Sequence, residues 1–136
     1  MYNFFLKRKR RAGQGGFTLI ELVVVLAILG ILLALAVPRY LGARKRAYKA
    51  EAQNLLQELK TLSWAYYQEY DRFNTSLTSL GFVMPSGASW NTPTGAGDGT
   101  QTVTWTLTGS TGTPVENNTC SLILFGNGDS QQGCNF

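Results

Sequence analysis

From Phe17 to Val37 the chain is aliphatic at almost every position, and a single ionisable side chain, Glu21, interrupts the run. These 21 residues rise about 31 Å as an α-helix, which matches a bilayer hydrocarbon core of roughly 30 Å. The segment is therefore long enough to span a membrane, and a chain of 136 residues leaves room for one compact domain beside it, not two. Pro38 closes the run; inside a continuing helix it removes a backbone hydrogen bond and loosens the turn before it. Gly30 is a second weak point eight residues earlier, because glycine costs helix stability relative to alanine.

The formal charge of +4 suggests nucleic acid until its location is considered. Lys7, Arg8, Lys9, Arg10 and Arg11 supply +5 before Phe17, and the seven basic and eight acidic residues that follow leave a net of −1. Positive charge on the cytoplasmic side orients membrane helices, so the leader predicts an inside N-terminus and an outside C-terminal domain. A second basic cluster, Arg39, Arg44, Lys45, Arg46 and Lys49, falls at the other end of the span, where it can hold lipid headgroups or meet neighbouring chains. No lysine or arginine follows Arg72, so no basic stripe is available on the C-terminal domain and direct nucleic-acid binding is unsupported.

Residues 1–16 do not read as an ordinary export signal. Such a signal places its apolar core before a small-residue cleavage site, whereas here Gly15 and Gly16 precede the apolar core. Beyond Pro38 the pattern becomes amphipathic: Tyr48, Ala52, Leu55, Leu59, Leu62, Tyr66, Tyr70 and Phe73 recur at spacings of three and four, a helical stripe read as core. Lys49, Gln53, Gln57, Lys60 and Gln68 take the opposite face. One helix from about Phe17 to about Arg72 is expected, roughly 80 Å long if continuous.

The stretch "FNTSLTSLGFVMPSG" carries breakers and reads as a connecting loop with one short helical turn. In "TQTVTWTLTG", Val103, Trp105 and Leu107 alternate with threonines, the signature of a half-buried strand. "CSLILF" is a second strand and "SWNT" a weaker third. A long helix followed by a small antiparallel sheet gives an α+β head. Cys120 and Cys134 fall in the exported part, and the chain has no histidine. That pair disfavours zinc, which wants four ligands, and favours one disulfide closing a C-terminal loop, with two unpaired buried thiols as the alternative.

The residues Gly16 and Phe17, followed by "TLIELVVVLAILGILLALAVP" with its acid four positions after the phenylalanine and its closing proline, resemble the type IV pilins and the related pseudopilins of type II secretion. The resemblance covers about a quarter of the chain; the helix-then-sheet order and the cysteine pair are similar to the family too, with less specificity. It implies the pilin fold: a removable basic leader at 1–16, a transmembrane and filament-core helix at 17–38, an amphipathic helix at 39–73 and an exported sheet head at 74–136. It implies that a prepilin peptidase of the inner membrane cuts between Gly16 and Phe17 and methylates the new Phe17 amine. It implies that Glu21 faces the Phe17 amine of a neighbouring copy in a helical homo-oligomer, and that helix between Gly30 and Pro38 melts in the filament. The remaining implied partners are an assembly platform and minor pilins, and the implied locations are the inner membrane before assembly and the cell surface after it.

An acid near the middle of a span costs roughly 2.5–3.5 kcal/mol on insertion scales, so it finds a partner or protonates. Glu21 alternatively sits wetted in the headgroup region. Three function classes follow: the subunit of a surface pilus serving adhesion, twitching motility or DNA uptake; a pseudopilin; or a single-span anchored binding module. No enzyme and no cofactor are expected, since the chain has neither a histidine, a paired-carboxylate arrangement nor a phosphate loop. Asp98 in "GDG" and Asp129 in "NGD" fall short of an oxygen-rich calcium cage and read as turns. "NTS" at Asn74 and "NNT" at Asn117 match a glycosylation acceptor, and no site is assigned to them.

Overall fold

Helix α1 runs from Leu19 to Tyr70 with Pro38 inside it. It belongs to a computed structural model that describes residues 16–136. The leader, and with it the expectations for 1–15, lies outside the described residues. The chain divides into two compact units, one ending at Tyr40 and one comprising Leu41–Phe136. In the first unit every large apolar side chain named from Phe17 to Val37 is exposed, because a lone helix has nothing to bury them against.

In the second unit, α1 buries Ala52, Leu55, Leu56, Leu59 and Ser63. The stripe read from sequence is largely this face, with Tyr48, Leu62 and Tyr66 packed at its margin. Three positions differ. Tyr70, at 50 % exposure, has left the core because the helix ends there, and its ring stacks on Tyr66 at 4.5 Å. Leu56 and Ser63 are fully buried although the stripe omitted them; the sheet covers a face wider than one row of side chains.

The expected short turn is α2, Leu77–Leu80. The Ser76 hydroxyl caps it by accepting the Ser79 N–H, and Gly81 ends it at φ 74°, donating to the Leu77 and Thr78 carbonyls. That left-handed conformation is accessible to glycine without a Cβ clash.

The sheet is an antiparallel meander in the order β1 (Thr94–Gly97), β2 (Thr102–Thr108), β3 (Thr119–Phe125), β4 (Ser130–Cys134). β2 and β3 are the two strands read from alternation, and their register places Val103 opposite Leu124, Trp105 opposite Leu122 and Leu107 opposite Cys120. All six are buried, at about 1.5–3 kcal/mol for each large apolar side chain removed from water. "SWNT" forms no strand: Trp90 makes one isolated bridge to Gly109, and its buried indole donates to the Tyr48 carbonyl at 3.2 Å. Cys120 lies directly opposite Cys134 across β3 and β4 and is bonded to it.

Candidate functional site

The helix begins where Thr18 can cap it. The Thr18 hydroxyl accepts the Glu21 N–H at 3.3 Å, while Glu21 Oε2 accepts both the Thr18 N–H and the Thr18 hydroxyl at 2.8 Å. This is a reciprocal capping box, in which a threonine and a glutamate three residues on satisfy each other's backbone donors. The Leu22 N–H then makes the first turn's bond to the Thr18 carbonyl at 3.3 Å. Glu21 is thus partnered within its own chain, where it fixes the first turn and a carboxylate also suits the positive end of the helix dipole. The sequence reading missed this role, although "TLIE" carries the threonine-to-glutamate spacing that signals it.

Both donors fall on Oε2, so Oε1 is the oxygen on which a further cation can be received. Immediately before the cap, Gly16 and Phe17 have no regular secondary structure, and the Phe17 side chain is 91 % exposed. A Cβ at Gly16 would meet nothing within 4 Å in the folded chain. Packing among the described residues therefore does not require a glycine at position 16. Gly30 and Pro38 both lie inside α1, and the space around Gly30 is likewise open.

After Phe17 the helix is long and apolar enough to cross a membrane: its most apolar window has a mean hydropathy of 3.0, and none of that window is buried. Within it Glu21 is the only ionisable residue before Arg39. The structure brings Glu21 and Thr18 together at the start of this surface, and it brings Cys120 and Cys134 together at the sheet edge.

The two acidic turns of the head serve the backbone. Asp98 Oδ1 accepts the N–H groups of Thr102, Gln101 and Thr100 at 2.9, 2.7 and 3.0 Å. Those donors, Thr102 foremost, hold its carboxyl below the usual aspartate range. Asp129 is tied to Asn127, which donates to its carboxylate at 2.8 Å and accepts its N–H at 3.1 Å. Among the described residues no group of three potential metal ligands converges.

The prokaryotic N-terminal methylation motif matches residues 11–37. Over 72 residues, 53 % of this chain, the sequence is 39 % identical to the type IV major pilin protein PilA of Myxococcus xanthus, of which the match covers 33 %. It is 42 % identical to the type IV major pilin protein PilE1 of Neisseria gonorrhoeae over 72 residues, 53 % of this chain and 44 % of that one. It is also 37 % identical to the type II secretion system core protein G of Dickeya chrysanthemi over 71 residues, 52 % of this chain and 46 % of that one. The matched stretch spans between a third and just under half the length of these relatives.

Proposed function

We propose that this chain, whose N-terminal segment is of the type IV pilin family, is a structural subunit of a type IV pilus, its major pilin, and not an enzyme. The observation that carries the reading is the first turn of α1: a Gly16–Phe17 junction outside regular secondary structure, followed by a capped helix whose wholly exposed apolar surface bears one acid. In this reading the prepilin peptidase cuts after Gly16 and methylates the Phe17 amine. The precursor is held in the inner membrane with its N-terminus inside, and an assembly platform with minor pilins draws it into a helical homo-oligomer at the cell surface. That filament serves adhesion, twitching motility or DNA uptake.

Glu21 then receives the Phe17 amine of a neighbouring copy on Oε1 while Oε2 keeps the Thr18 cap. Breaking a buried ion pair by removing one partner costs about 3–5 kcal/mol, so a copy entering out of register is penalised far more than a correct pair is rewarded. The aliphatic surface from Phe17 to Val37 suits lipid tails and a helical bundle equally, so transfer between them is close to balanced in hydrophobic energy. Gly30 and Pro38 are the points where the helix melts in the filament.

The similarity to core protein G of a type II secretion system favours a second reading, a pseudopilin in a short secretion filament. Intact mass and N-terminal sequencing of sheared surface filaments test the first. An N-methylated Phe17 end in abundant filaments is the expected result. Full-length protein beginning at Met1 overturns the processing, and loss of secretion on deletion, with surface filaments intact, assigns the second reading.

A further inference from the structure

From Arg46 to Lys60 the exposed side of α1 is asymmetric in charge; Arg44, which donates to the Tyr48 hydroxyl at 3.2 Å, lies on the acidic flank below this stretch. At about 100° per residue, the buried side chains Ala52, Leu55, Leu56 and Leu59 mark its inner face. Glu51 and Glu58 fall on one flank, where they and Asn54 share a groove of about 380 Å³ with the loop from Pro85 to Ala88. One Glu51 carboxylate oxygen accepts the Ser89 N–H at 2.8 Å, so that carboxylate is anchored at the groove. Arg46 and Lys49 fall on the other flank. This is the side on which Gln57 and Lys60 hydrogen-bond to Gln132 and Ser130 of β4, at 2.9 and 2.7 Å.

We propose that these flanks are the two halves of one interface between copies of this chain: the Glu51–Glu58 groove of one copy receives Arg46 and Lys49 of the next. The inference rests on the filament reading and names the contact between heads within it. Charge complementarity selects a second copy as the occupant, because like flanks repel and unlike flanks attract. The two patches are different surfaces, so the contact is heterologous, and such contacts propagate into open filaments unless a rotation closes them. Closure is blocked by the offset along the helix. The midpoints of the acidic and basic pairs lie about seven residues apart, so parallel copies joined this way are staggered by roughly 10 Å. Each added copy advances along the axis.

The test uses the full chain expressed in a piliated host, with filament yield read from sheared fractions. Glu58→Lys and Lys49→Glu should each lower the yield by about tenfold or more, and the double variant, which restores opposite charges across the interface, should recover it to within about threefold. Separately, Lys49→Cys combined with Glu58→Cys should give a ladder of cross-linked copies when filaments are treated with a bismaleimide. The contact is overturned if the single reversals assemble normally, or if the double variant is as defective as either single and no ladder forms; the filament reading then survives. Loss of the precursor from the membrane fraction in Lys49→Glu, unrelieved by Glu58→Lys, overturns the contact in favour of lipid headgroups as the partner. Wild-type protein that never enters filaments sinks the filament reading and the contact with it.

Discussion

Ser63→Ala is the sharpest probe of how the head is held on its helix. Ser63 is the one polar side chain in the buried set among the described residues, and its hydroxyl accepts the Trp105 indole N–H at 3.0 Å. Both residues are 0 % exposed. The six-membered ring of the indole lies against the backbone of β1, where a Cβ at Gly95 would come within 2.7 Å of it, and with both partners fully buried the N–H loses its acceptor away from solvent once the serine oxygen is gone. An unsatisfied buried donor of this kind costs about 1–3 kcal/mol. In a domain of about 100 residues each kcal/mol moves Tm by about 4–8 °C, so Ser63→Ala should lower Tm by about 5–20 °C. Thermal unfolding of the full chain in detergent micelles, followed by near-ultraviolet circular dichroism, reads this directly. Trp105→Phe removes the donor, and in that background Ser63→Ala should cost far less. A Tm within about 1 °C of wild type, or the same loss in both backgrounds, refutes the reasoning.

Replacing Cys120 and Cys134 together by serine should destabilise the head by about 3 kcal/mol in the chain-entropy model, given a sequence separation of 14; the same melts with and without reductant check it, and an unchanged Tm counts against the bond's structural role. Glu21→Ala should leave insertion and Gly16–Phe17 cleavage intact, as judged by the mass of the membrane-bound protein, while filament assembly is lost; normal filament yield excludes the register role. The Asp98 carboxyl lies below its ordinary value because the Thr102, Gln101 and Thr100 N–H groups stabilise the anion. Its contribution is therefore complete above the unfolded aspartate pKa of about 3.9 and is lost as pH falls through the lower folded value. Amide exchange at Thr100–Thr102, corrected for intrinsic rates, should rise in that acidic window, and in Asp98→Asn that rise should vanish; a rise persisting in the variant removes Asp98 as its cause.

The parts of the fold that could be read in advance are those whose side chains report their own environment. β2 and β3 alternate apolar and polar residues because one face is buried, and the helix stripe repeats at three and four for the same reason. β1 and β4 carry no such pattern. "TGAG" reads as a turn by composition, yet its glycine at 95 is where the Trp105 ring demands an absent side chain. "SQQGC" is polar and largely exposed, so its strand character comes from β3 beside it and from the bond at Cys134. At the N-terminus, the acid was visible as an anomaly in an apolar run. Its cap on Thr18 was also written there, in the threonine three residues before it.

The sequence by itself determined that one helix carries a long apolar surface and that residues 11–37 match the N-terminal methylation motif, because length, hydropathy and spacing are properties of the chain before it folds. Only the tertiary structure decided which residues of α1 flank the core. That assignment separates Glu51 and Glu58 from Arg46 and Lys49, since the direction in which a helix faces its sheet is set by packing across the whole head. The same packing turned Ser63, a polar residue of no apparent consequence in the sequence, into the hydrogen-bond acceptor for a buried indole.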